Sequence, residues 1–125
     1  MSKLKNEIKA CMRDLHKEAS DALVARFCFP KDFIGFKGHF PGKPILPGVC
    51  KIQAAVLMLE EIKQKPVRLK EIILAKFFAP VTFAQEVMFI LRESDSYDCE
   101  EDVEVLVNSN STKIAQLRLK VSFKE

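Results

Sequence analysis

Apolar and polar positions alternate without a fault near the end of the chain, where Leu117, Leu119, Val121 and Phe123 are separated by Arg118, Lys120 and Ser122. Alternation with period two predicts a strand with one apolar and one wet face. The same test predicts strands over 22–29, with Leu23, Ala25, Phe27 and Phe29 inward and Arg26 outward, over 86–93 and over 102–108. Residues 67–79 form a longer β-prone run that Pro80 interrupts. Residues 7–13 also alternate, with Ile8, Ala10 and Met12 against Lys9 and Arg13, and predict a short strand, followed by a polar turn at HKEASD. Around Phe33, Ile34 and Phe36 no clean period exists, and one short turn or helix packing through those residues is expected.

From Pro47 the period becomes helical. Val49, Ile52, Val56 and Leu59 form one stripe, while Ala54, Ala55, Leu57 and Met58 fill most of the remaining circumference up to Glu60. A helix apolar nearly all round is buried on several sides. At ~1.5 Å per residue it spans on the order of 25 Å, a length that strands of about eight residues also cover. The expected architecture is therefore α+β, an antiparallel sheet wrapped around one long central helix. A chain of 125 residues makes this a single domain, 1–125.

The stretch feeding that helix, Gly38 to Gly48, holds three prolines and three glycines, and the next seventeen residues hold neither. Each proline fixes its own φ and drives the residue before it into an extended conformation. The loop is thus stiff, and its one group titrating near neutral pH is His39. Lys31, Lys37, Lys43 and Lys51 surround it, opposed only by Asp32, whereas residues 95–104 carry acidic side chains and no basic one. Solvated faces explain both runs. A net charge of +3 is too small to argue for nucleic acid. The four cysteines form no CxxC pair, so free buried thiols are expected and no metal site. No secretion signal or membrane-length apolar run is visible, and the expected location is cytoplasmic.

The string GHFPGKPILPGVCKIQ resembles the signature of hot-dog fold dehydratases that act on beta-hydroxyacyl groups carried by acyl carrier protein. ILAKFFAPVTFAQE and NSNSTKIAQLRLKVSF resemble later segments of the same family, so the likeness runs from about Phe27 to the C-terminus. It implies a hot-dog fold, at least a dimer with sites completed between subunits, and no cofactor beyond the carrier's phosphopantetheine arm. It implies His39 as catalytic base, and the Gly48 amide at the helix start suits an oxyanion. At the family's helix carboxylate, this chain has Gln53. An amide donates hydrogen bonds but does not exchange a proton usefully at neutral pH.

Three outcomes stay open at Gln53. His39 performs both proton transfers while Gln53 orients the hydroxyl, or Gln53 positions water for thioester hydrolysis, or the site binds acyl chains without turnover, as a subunit paired with an active paralogue. Gln53 satisfying a loop carbonyl is a further alternative. Phe40, Pro47 and Val49 border the same motif, and Phe33, Phe36, Phe77 and Phe78 either line an acyl tunnel or form plain core. Phe78 stands where the family often has a basic residue. Lys37, Lys43 and Lys76 either receive an acidic carrier protein or are ordinary surface lysines. Cys50 reads as a small buried hydrophobe rather than a nucleophile. His16 lies in a polar turn without a motif.

Overall fold

Six antiparallel strands form one sheet in the order β1-β2-β4-β5-β6-β3. The structure, a computed structural model, describes residues 3–36, 45–94 and 100–123. Its elements are α1 (Lys3–Ala10), β1 (Met12–Lys17), β2 (Leu23–Cys28), a 3-10 turn (Ile34–Phe36), α2 (Gly48–Lys63), β3 (Val67–Phe77), β4 (Glu86–Glu93), β5 (Glu100–Ser109) and β6 (Thr112–Phe123). The inward positions carry the period predicted from sequence: Ala25 and Phe27 on β2, Phe89 and Leu91 on β4, Val105 and Val107 on β5, Leu117 and Leu119 on β6 are all buried. They close on α2, whose residues from Ala54 to Leu59 are buried without a break.

The strand expected at 7–13 is instead the end of α1 and the start of β1. Ile8 and Met12 satisfy period two, but Leu4, Ile8 and Cys11 satisfy the helical period, and the second set places both Ile8 and Cys11 in the core, whereas Met12 is only partly buried. Ile8 is fully buried, and α1 is tied to α2 by Lys5–Glu60 at 3.0 Å and Lys9–Glu61 at 3.2 Å. Glu7 Oε1 also accepts a hydrogen bond from the Ile34 amide at 3.0 Å, joining α1 to the 3-10 turn. The acidic run likewise has a member out of place for a solvated face, since Glu101 turns inward below Val103 and is buried.

Phe27, Phe29, Phe33 and Phe36 form a chain of ring contacts with centroids 4.8 to 5.9 Å apart. Gly35 lies against this chain so closely that a Cβ there would overlap the Phe33 ring and come within 3.0 Å of Cys50 Sγ. Phe33 is 1% exposed and has no room to withdraw. Gly35→Ala is therefore expected to destabilise the fold by ~1 to 3 kcal/mol, the usual cost of overpacking a filled core. A denaturant midpoint equal to that of the parent would show that the ring can yield.

Apolar surface is left on β3. This strand is an edge of the sheet, and Leu69, Ile72, Ile73 and Phe77 along it are exposed, as is Phe78 beyond its end. Two irregularities in its pairing with β6, between Leu69 and Glu71 and between Ile72 and Leu74, leave Ile72 and Ile73 both in the open.

Candidate functional site

α2 starts without a side-chain cap. Pro47 occupies the N-cap position in an extended conformation, φ −63° and ψ 150°, and the first turn contains no acidic residue. The opening amides of any helix lack intrahelical acceptors, and the helix dipole is positive at that end. Buried Leu46 pins the approach, donating its amide to the Val81 carbonyl at 2.7 Å. The helix start is thereby fixed against the segment that follows β3.

An open cavity of about 340 Å³ lies at this junction, lined by Ile45 to Gly48, Lys51, and Phe77 to Pro80. Gly48 is pressed against Phe77: a Cβ would meet the ring at 2.8 Å, so glycine permits the close approach. Phe78 is held on the opposite side by its amide, which donates to the Ile114 carbonyl at 2.8 Å, with Lys113 Nζ 5.0 Å from its ring centroid. The arrangement offers an apolar wall, an uncapped helix end and, among the described residues that line it, one cation.

That cation is Lys51. Expected at the surface around the loop, it is only 3% exposed. Its stem runs back toward the helix start, as helical side chains do, so that Nζ donates to the Leu46 carbonyl at 3.4 Å and lies 5.1 Å from the Phe77 ring centroid. Burial pushes its pKa down, opposed only by Cys50. Its position between buried Cys50 and Ile52 on a helix apolar nearly all round was the available signal.

The remaining site residues divide by location. Gly48, Pro47, Phe77 and Phe78 come together around the cavity. Phe33 and Phe36 are in the core among other rings. Val49 is 63% exposed, and Gln53, one turn later on that side of the helix, is half-buried. Two residues of helix turn the direction by about 200°, so Gln53 and Lys51 leave α2 on different sides. Lys76 is exposed on β3. His39, Phe40, Lys37 and Lys43 lie outside the described residues.

Two other candidates have ordinary roles. Burial pushes the Cys50 thiol up to about 11, with Lys51 opposing, so it stays protonated at neutral pH and behaves as a hydrophobe. His16 accompanies Asp14 and Arg26 beside a different cavity, its Nδ1 2.7 Å from the Asp14 carbonyl. Among the described residues, no group of three His, Cys, Asp or Glu side chains is placed to hold a metal ion.

A family model for the ApeI-like dehydratases, described as ApeI dehydratase, matches residues 15–117. The 3-hydroxyacyl-[acyl-carrier-protein] dehydratase FabZ of Wolbachia sp. subsp. Drosophila simulans (strain wRi) is 48% identical over 54 residues, which amount to 38% of this chain and 38% of that relative. Among solved structures, the dehydratase heterocomplex ApeI:P from Xenorhabdus doucetiae superposes with a TM-score of 0.73 over 89% of this chain and 96% of the other, at 17% identity. Cj0977, a sigma28-regulated virulence protein from Campylobacter jejuni, gives 0.69 over 98% of this chain and 97% of its own, at 11% identity. At such identities the likeness shows the fold, the hot-dog arrangement of a sheet wrapped around a helix.

Proposed function

Because the chain belongs to the ApeI-like dehydratase family, we propose that it dehydrates beta-hydroxyacyl thioesters carried on acyl carrier protein, in fatty-acid or polyene-type biosynthesis. The observation that carries this reading is the uncapped start of α2, fixed at Gly48 beside an apolar cavity, with His39 nine residues earlier in the sequence. His39 takes the proton from the carbon next to the thioester carbonyl. The electron pair moves onto the carbonyl oxygen, which the Gly48 amide and the positive helix end stabilise. When that enolate collapses, the carbon–carbon double bond forms and the hydroxyl departs. With an amide at Gln53, the departing hydroxyl takes its proton from the His39 imidazolium while Gln53 orients it.

Phe40, Pro47, Val49, Phe77 and Phe78 form the acyl and pantetheine path in this reading, with Phe33 and Phe36 shaping it from within the core. Lys37, Lys43 and Lys76 receive the acidic carrier. The protein works in the cytoplasm as a homodimer or an oligomer of dimers. Support for pairing comes from β3, a long edge strand with exposed apolar side chains, the kind of surface that attracts a second strand. Among the described residues, no helix is long and apolar enough to cross a membrane.

Gln53 favours a second reading, in which the chain is a non-catalytic acyl-binding subunit that completes its site with a carboxylate from a paralogue. The likeness to a dehydratase heterocomplex fits that reading too. Incubation with a beta-hydroxyacyl carrier protein, followed by mass spectrometry, separates the cases. Loss of one water by the chain alone supports the first reading, and loss of water only after addition of a paralogous hot-dog subunit supports the second. Release of free acid would identify a thioesterase, and an unchanged substrate under both conditions would overturn both. Light scattering on the same sample is expected to give about twice the 14.2 kDa chain mass, and a monomer would remove the pairing through β3.

A further inference from the structure

Lys51 is a charged group where a cation is least expected. Its Nζ sits at the positive end of α2, its residue is 97% buried by the complement of its 3% exposure, and the helix's first turn has no acidic side chain. No carboxylate among the described residues forms an ion pair with it: its neighbours are one carbonyl at 3.4 Å and the face of Phe77. An ammonium has three donors, and a single long hydrogen bond uses one of them poorly. A buried charge is ordinarily paired, because its desolvation is otherwise uncompensated. Here the charge instead borders an open, mainly apolar cavity beside uncapped amides.

We propose that Lys51 and the α2 start together form a binding hole for a carboxylate-type oxyanion at the head of an acyl chain, with Phe77 and Phe78 against the chain. The cavity's apolar lining suits the hydrocarbon, and the cation with the helix end suits the head. Two sources supply that head: a free fatty acid, or the enolate oxygen of a thioester being turned over. The second rests on the dehydratase reading above, and the first does not. In either case Lys51 is a charged complement to the Gly48 amide, and Phe77 covers the ammonium so that water does not screen it.

The test compares octanoate with octanamide, which share a chain and differ in head charge, by titration calorimetry. Wild-type protein is expected to bind octanoate at least tenfold more tightly than octanamide. Lys51→Met, close in volume, is expected to bring the two within twofold of each other, while Lys51→Arg keeps a preference for the carboxylate. Equal affinities in the wild type, no binding of either, or a preference undiminished in folded Lys51→Met would overturn the proposal. Should Lys51→Met not fold, the wild-type comparison still decides, with melting-temperature shifts for the two ligands as its check. Competitive inhibition of wild-type turnover by octanoate places the carboxylate in the enolate's seat, and binding without inhibition assigns the hole to free acids. If the chain shows no turnover, the dehydratase reading fails while the binding comparison stands on its own.

Discussion

His39→Ala is expected to lower turnover of a beta-hydroxyacyl carrier-protein substrate by ~100- to 10,000-fold, the range that general acid–base assistance typically supplies. The effect is large because the chain offers one imidazole for two proton transfers. His16 is not a substitute, being engaged with Asp14 and Glu18 beside another cavity. Cys50, with its thiol held protonated, is not one either. Full activity in His39→Ala would remove the imidazole from the mechanism. The companion variant is Gln53→Glu, which places a carboxyl on the half-buried side of α2, away from Lys51. If proton delivery to the departing hydroxyl limits the parent, this variant turns over faster, again within a ceiling of ~100- to 10,000-fold. An unchanged or lower rate would mean that the site has been rebuilt around the amide. Initial rates by mass spectrometry, with melting temperatures as a check on folding, decide both variants.

Where one packing face is strict, the sequence was legible. β4 was predicted at 86–93 and occupies Glu86–Glu93, because Val87, Phe89 and Leu91 alternate with residues that face outward. β2 was legible for the same reason, whereas α2 was legible because it is apolar nearly all round and runs from Gly48 without a proline for seventeen residues. The N-terminus was not, since Ile8 belongs to two periods at once and the decision lies in tertiary contacts with Glu60 and Glu61, some fifty residues away. Lys51 was misplaced because lysine is rarely buried. Its helical position said otherwise, but only the packed structure shows Leu46 and Phe77 closing over it. The phenylalanines split for a related reason. Composition signals many apolar rings but not which ones face solvent, and the exposure of Phe77 and Phe78 follows from β3 being an edge strand. For the site, the helix start was legible from Pro47 and Gly48, whereas the cation beside it was not.

A carboxyl pair at the other end of α2 gives the fold an expected pH dependence. Lys63 in the last turn holds Glu93 at 2.9 Å, with Nζ 5.3 Å from the Phe123 ring centroid, and Glu93 shares a hydrogen bond with buried Glu101. Burial pushes Glu101 up to about 8, and the neighbouring Glu93 carboxylate adds to the shift. Burial acts on Glu93 in the same sense, but its hydrogen bonds with Glu101 and Lys63, together with the charges of Lys63 and Lys17, outweigh it and hold Glu93 below its ordinary range. Near neutrality Glu101 is thus the protonated member and donates its O–H to Glu93, while its Oε1 has no partner among the described residues. Between pH 4.5 and about 8 the folded chain holds this proton more firmly than the unfolded chain, so stability falls as pH rises through that window. Glu93 works oppositely, contributing stability above its unfolded pKa that is lost as pH falls through its lowered folded value. Each pKa unit is worth about 1.4 kcal/mol, and Glu93 is ionised in both states above its unfolded value, so the Glu101 proton alone sets an expected decline on the order of 3 kcal/mol from pH 5.5 to 8.5. Glu101→Gln keeps a donor for Glu93 and has no proton to lose, so its melting temperature should change less over this range. The difference between the two melting curves isolates this pair from every group that the two proteins share. Parallel curves would show that Glu101 ionises as freely in the folded chain as in the unfolded one, and that the inward turn of β5 at that residue carries no proton.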